Sequence, residues 1–204
     1  MSLTLRASLL ALCISLSANA QTRTLALYAG SAPGLDVEAR AVMRAELQRL
    51  LTPAGIDVVW KSMAFRKAGE NFDLVVVSSF EGSCAADASA GGASDNNITS
   101  LADTSIADSR ILPFFRVDCS RLVRMLGTQS EPAIIGRALA RIIGHEIYHI
   151  VAQTTEHHEK GLAKASFSIR DLTGNPFDLD ALSIERIRIS LMPLQTSSFL
   201  SPCR

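Results

Sequence analysis

The stretch 130–161, "SEPAIIGRALARIIGHEIYHIVAQTTEHHEKG", decides how this 204-residue chain is read. Its first part, 130–153, carries apolar residues on nearly every side, which predicts a long helix that is central and largely buried. Ser130 can cap that helix, Pro132 suits its first turn, and Glu131 complements the positive end of the dipole. Gly136 and Gly144 then read as points of close packing rather than breaks. The second part gathers all four histidines of the chain: His145, His149, His157 and His158.

His145 and His149 are four residues apart, so one face of the helix presents both rings to a single ion. Glu146 follows the first of them and can reach a water on that ion without binding the metal. This is the HExxH pattern, in which two histidines hold zinc and the Glu serves as general base. By residue usage the pattern should arise by chance in on the order of one in a few hundred chains of this length. Here it coincides with a buried helix, where two imidazoles and a carboxylate without partners would be costly. A metal site explains the stretch better than coincidence does.

Two histidines leave a catalytic zinc short, since such ions normally keep three protein ligands and an open position. If the helix ends near 153–155, the chain must turn back, and "TTEHHEKG" is that turn. The candidates for a third ligand are His157, His158, Glu156 and Glu159. A glutamate on a later helix, Glu185 in "LSIERIR", is a further alternative, but it would leave the two extra histidines unexplained.

Over about 141–163 the sequence resembles the zincin metallopeptidases, and within them the metzincin-like branch. There a helix carries HExxH, the chain turns sharply, and a third histidine completes the site. The resemblance implies zinc bound by His145, His149 and His157, with Glu146 as the catalytic base. His157 is preferred over His158 because the "H-x-x-x-G" ending of longer-turn secreted bacterial relatives fits His157 through Gly161. Two departures stand out. The metzincin Gly and third His fall at Ala152 and Thr155, so the helix should run further and the turn should be longer. The methionine expected beneath the metal is replaced by Leu162 or Ala163, and Met192 reads as core. Candidate donors for an oxyanion are His158, Tyr148 and Arg170.

Around this stretch the chain reads as one domain. Residues 1–20 have a single Arg, an apolar run and "ANA" at 18–20, the pattern of an export signal. Arg6 is the only charge among them, so of 20 basic and 20 acidic residues, 19 and 20 remain, a net charge of −1. That balance, with no basic run, excludes nucleic acid as a partner. Export would make Cys84, Cys119 and Cys203 candidates for pairing. Cys84 and Cys119 both follow strand-like segments, which makes Cys84–Cys119 the preferred bridge.

Strands are predicted at 22–30, 56–61 and 72–80, the last as an apolar run buried on both faces. A helix is predicted within 31–55, with Val37, Ala41, Leu47, Leu50 and Leu51 at helical spacing and Pro53 and Gly55 as its stop. Residues 85–99 read as a surface loop, with a chance sequon at 97–99. From 101 to 119 the patterning is strand-like, Pro113 suggesting an edge or a bulge. A short helix at 120–126 and a last one at 179–192 complete the list. The strand–helix–strand–strand order before the histidine helix also looks like the metzincin upper subdomain.

The expectation is therefore an α+β, single-domain zincin-like protein over 21–204, with a small mixed sheet packed on helices around the HExxH helix. It would be secreted or periplasmic, a monomer without a membrane span, using Zn2+ to hydrolyse a peptide or protein substrate. The alternatives are a metal-binding interaction module that has lost turnover, and a zinc amidase acting on a non-protein amide.

Overall fold

The computed structural model describes residues 22–62, 69–85, 100–127 and 130–192. The expected leader 1–20, Cys203, the sequon and all of the expected loop 85–99 but Ala85 lie outside these residues. Within them run β1 (Arg23–Ala29), α1 (Val37–Leu51), β2 (Ile56–Ser62), β3 (Leu74–Glu81), β4 (Ala102–Ala107) and β5 (Arg110–Asp118). Four helices follow: α2 (Cys119–Leu126), α3 (Pro132–Ala152), α4 (Ile169–Thr173) and α5 (Ala181–Ser190). The strands form one mixed sheet in the order β2-β1-β3-β5-β4, with β4 alone antiparallel. The α+β architecture, a small mixed sheet packed on helices, is the one expected from the sequence.

Helix α1 starts where the Asp36 carboxylate accepts from the Glu38 N–H at 2.7 Å. It stops in a 3-10 turn at Thr52–Ala54, and Gly55 leaves that turn at φ 80°, a left-handed conformation that costs glycine little. Its buried stripe is Ala39, Met43, Leu47, Leu50 and Leu51. Burial of each leucine there contributes about 1.5–3 kcal/mol. Val37, expected on the inner face, is 82% exposed, and Ala41 is exposed too. The stripe follows the 39–43–47 spacing, which turns both residues outward.

Strand β3 also departs from expectation. Val76 and Ser78 are buried while Val75 is 47% exposed, so the strand is covered fully on one face only. Pro113 lies in β5, an interior strand rather than an edge. Pairing with β3 starts at Phe114, and the register with β4 shifts between Thr104 and Ile106. The proline thus sits at a bulge, where its missing N–H breaks no regular ladder bond. Between β4 and β5, Asp108 and Ser109 both have positive φ, 49° and 60°, which makes a two-residue hairpin turn.

Helix α3 is buried almost end to end, from Ile135 to Val151 apart from Arg137. It packs against every other helix of the described set and against β4 and β5. Its N-cap is Glu131, without a side-chain cap bond; Ser130, expected there, donates instead to the carbonyls of Leu126 and Gly127. At Gly136 a Cβ would fall 2.9 Å from the Ala39 carbonyl carbon, so the glycine lets α1 and α3 touch backbone to backbone. Cys84 and Cys119 are joined, their Cα atoms 4.8 Å apart, tying the end of β3 to the start of α2. Such a bridge belongs to an oxidising compartment. No helix among the described residues is long and apolar enough to cross a membrane.

Candidate metal centre

The last two turns of α3 bring His145, Glu146 and His149 to the sheet edge, 9%, 5% and 8% exposed respectively. The helix ends because Gln153 takes the left-handed conformation, φ 49° and ψ 47°, and its N–H caps the His149 carbonyl. That reversal falls one residue after Ala152, so the longer turn expected from the missing glycine is present. The chain then comes back over the helix and brings His157 to the pair. The His157 ring centre lies 5.3 Å from that of His145 and 4.8 Å from that of His149. One ligand atom from each of the three lies within 4.8 Å of the others.

The hydrogen bonds fix the tautomers. His145 Nδ1–H donates to the Leu162 carbonyl at 2.7 Å, and His149 Nδ1–H to the Thr154 carbonyl at 2.7 Å. Carbonyls only accept, so both protons sit on Nδ1 and both Nε2 atoms carry lone pairs. Those two Nε2 atoms face each other at 3.0 Å. Protonating one would relieve the repulsion, but burial holds both rings below their ordinary pKa, His145 at about 4. For His145 the Leu162 carbonyl resists that shift and the other two imidazoles reinforce it. Partial burial, with His158 beside it, lowers His157 as well. Three neutral imidazoles converging with no proton to share are a donor set made for a cation. Two imidazole nitrogens on one tetrahedral zinc stand about 3.3 Å apart, from bonds of about 2.0–2.1 Å. The residues present fit zinc.

Glu146, next along the helix, shares their cleft and reaches towards β4. Its Oε2 accepts from the Thr104 hydroxyl at 2.6 Å. Burial raises its pKa to about 7; the Thr104 bond opposes the rise and Asp103 adds to it. A carboxyl poised at neutrality can both take and return a proton. A cleft of about 240 Å³ joins the three histidines, Glu146, Thr104, Ile106 and Thr155. A second pocket of about 410 Å³ opens past Glu146, between Met125, Ile142 and Phe167. A larger cavity of about 520 Å³, bounded by Trp60, Phe80 and Arg44, contains none of these residues, and it holds no acid or base beyond two arginines and a lysine.

The other candidates lie elsewhere. His158 turns away, its Nδ1 3.1 Å from Asp180 Oδ2. Glu156 pairs with Arg186 at 2.7 Å, and Glu159 and Glu185 are exposed. Tyr148 is fully buried and Arg170 exposed, and neither lines the two pockets at the histidines. Met192, expected in the core, is 62% exposed because it follows the end of α5. Leu162 does lie beneath the site, fully buried, and its contribution is a carbonyl rather than a side chain.

Sequence reasoning missed Thr104, Phe167 and the two carbonyl partners. Phe167 packs edge-on against His145 with ring centres 5.2 Å apart. Nothing in the chain's periodicity marks these residues. An Asp-Ser turn flanked by two short polar-apolar alternations was the only signal for the hairpin that carries Thr104.

No protein-family model matches the chain, and no curated protein matches it. Among solved structures, the crystal structure of archaemetzincin from Methanopyrus kandleri is similar over 86% of this chain and 98% of that one, at 13% identity and a TM-score of 0.49. The roles of residues here rest on the geometry above.

Proposed function

We propose that the protein is an exported zinc-dependent hydrolase, and that it cleaves peptide bonds. His145, His149 and His157 are the zinc ligands and Glu146 is the general base. The observation that carries this reading is the opposed pair of Nε2 lone pairs at 3.0 Å, beside a third imidazole and a buried carboxyl. Zinc bound there would supply a Lewis acid that brings the pKa of water down towards neutrality.

The chain's own groups do the rest. Leu162 and Thr154 hold the two helix imidazoles in the tautomer that leaves Nε2 available. Glu146 takes a proton at its carboxylate and later returns it to the leaving amine. Thr104 keeps the Glu146 carboxylate aimed at the cleft and favours its charged form. Strand β4 is the end strand of the sheet, paired on one side with β5, and Thr104 and Ile106 line the cleft. An extended peptide added along that edge would pass the histidines, which supports a peptide or protein as substrate.

The test is cleavage of a diverse peptide mixture by the zinc-loaded protein beside its Glu146→Gln variant, with bound metal quantified in both. Cleavage by the first alone, at equal zinc, is the expected result. Equal zinc with no cleavage by either would move the reading to a non-peptide amide or a binding module. No zinc in either would end it.

A further inference from the structure

Resting on that reading, we propose that α5 is a splint for the zinc ligands: His158, Asp180, Ser183 and Arg186 are positioning residues that hold His157 and His149 in place. His157 is exposed, and its backbone lies on a turn that reverses direction within five residues of the helix end. A ligand so placed needs its neighbours fixed, since metal affinity depends on how little the site must reorganise. The residues on either side of His157 are both fastened to α5.

On one side, the His158 Nδ1–H donates to Asp180, 3.1 Å from Oδ2 and 3.3 Å from Oδ1, and to the Ser183 hydroxyl at 3.0 Å. The Ser183 hydroxyl in turn donates to Asp180. Ser183 is fully buried and Asp180 also caps α5, so neither end of this triad can drift without unseating the helix. The His158 backbone N–H donates to the Ala163 carbonyl at 2.7 Å, next to Leu162, whose own carbonyl holds His145. On the other side, Arg186 pairs with Glu156 at 2.7 Å and donates to Thr154 Oγ1 at 3.2 Å. Thr154 is the residue whose carbonyl holds His149.

Asp180, Ser183 and Arg186 recur at intervals of three along one side of α5, so a single helix face grips the turn at 154, 156 and 158. Further along, the Ser190 hydroxyl donates to the Val151 carbonyl at 2.7 Å and seats α5 on the end of α3. All three ligands are thus one hydrogen bond or one peptide unit from a contact with α5 or with the strap at 162–163. Paired histidines in sequence acquire separate purposes: His157 faces the other two rings, and His158 fixes where it stands.

The test is zinc affinity of the full chain, measured by competition with a chromophoric chelator at neutral pH, with far-UV circular dichroism on each sample. His158→Ala should weaken zinc binding by about 10–100-fold, the usual loss when a ligand's supporting partner is removed. His158→Asn, which keeps a donor near the Nδ1 position, should restore most of it. Arg186→Ala, at a side chain 38% exposed and with its fold checked by the same spectrum, should weaken binding in the same direction. Folded His158→Ala and Arg186→Ala proteins that bind zinc as tightly as the parent would overturn the splint while leaving the proposed function intact. A loss in His158→Ala that Asn does not rescue, with Arg186→Ala unchanged, would equally overturn it. A parent protein that binds no zinc would sink the function and the splint together.

Discussion

Arg141 lies one turn before His145 on α3 and is 0% exposed, a position that tests the packing account severely. All five of its N–H groups are used. Nε and one NH2 group donate to Glu46 Oε1 at 3.1 and 3.0 Å; the same group reaches Asn175 Oδ1 at 3.1 Å. The other donates to the Asp171 and Gly174 carbonyls, both at 2.7 Å. The guanidinium also lies over Phe177, 4.7 Å from the ring centre. Burial pulls its pKa below the ordinary value, and Glu46 pushes back. Arg141 thereby joins α1, α3 and the loop after α4.

Replacing it by Met keeps the volume and removes the donors. Removing one partner of a buried ion pair costs about 3–5 kcal/mol when the other is stranded. Glu46 is not stranded, because Arg49 still donates to it at 2.8 and 3.1 Å. Three acceptors are orphaned, the Asp171 and Gly174 carbonyls and Asn175 Oδ1, each worth about 1–3 kcal/mol. The sum points to the lower end, about 3 kcal/mol, or about 6–12 °C in Tm for a domain of this size. Urea unfolding of Arg141→Met against the parent, with the disulfide intact, measures it. A loss below about 1 kcal/mol, or a gain, would mean that the five bonds contribute nothing net. Arg141→Lys should fall between, as one ammonium cannot serve that spread of acceptors.

Two glycines of α3 should part company. Gly136→Ala drives a Cβ into the Ala39 backbone and should cost about 1–3 kcal/mol despite a helix gain of about 1, whereas Gly144→Ala meets only side-chain ends, Leu162 at 3.0 Å and Leu47 at 3.5 Å, and should stay within about 1 kcal/mol of the parent by thermal melting. Burial works against the Asp171 charge, but hydrogen bonds from Lys164 and Ser168 prevail and hold its pKa at about 2, below the ordinary 3.8. The folded value is depressed, so the stability it contributes is present above 3.8 and fades as pH falls towards 2. Asp171→Asn should therefore be less stable than the parent at pH 5, the gap closing as melting is repeated down to pH 2. Thr104→Val removes the bond that favours the charged Glu146; turnover at neutral pH should drop about tenfold, the worth of one charged hydrogen bond, with zinc content unchanged. Replacing Cys84 and Cys119 by serine opens a loop with a sequence separation of 35 and should cost roughly 3–4 kcal/mol in denaturant unfolding.

Much of this was legible in the chain because it is written locally. Helix α3 shows in its apolar density, the HExxH pair in its spacing, and the end of α1 in Pro53 and Gly55. The Cys84–Cys119 pairing followed from strand ends that the sheet does bring together. What was not legible depends on pairing between distant segments. The hairpin at 108–109 uses Asp and Ser where glycine or asparagine would have announced it, so β4 and its Thr104 stayed hidden inside one long strand-like run. The inner face of α1 was misread by a few residues because alanines and valines occupy both sides of it. His157 and His158 differ by one residue in sequence, and only the strap at 161–164 and the polar face of α5 separate their directions. Gln153, not glycine, takes the left-handed turn, so the end of α3 carried no glycine mark.

The most direct test of the central claim is X-ray absorption at the zinc edge on the protein and on its His157→Ala variant, with zinc counted per chain. The expected result is one zinc per chain, with three imidazole nitrogens at about 2.0–2.1 Å in the parent and two in the variant. Zinc absent from the parent, or the same three-imidazole shell in both proteins, would contradict it.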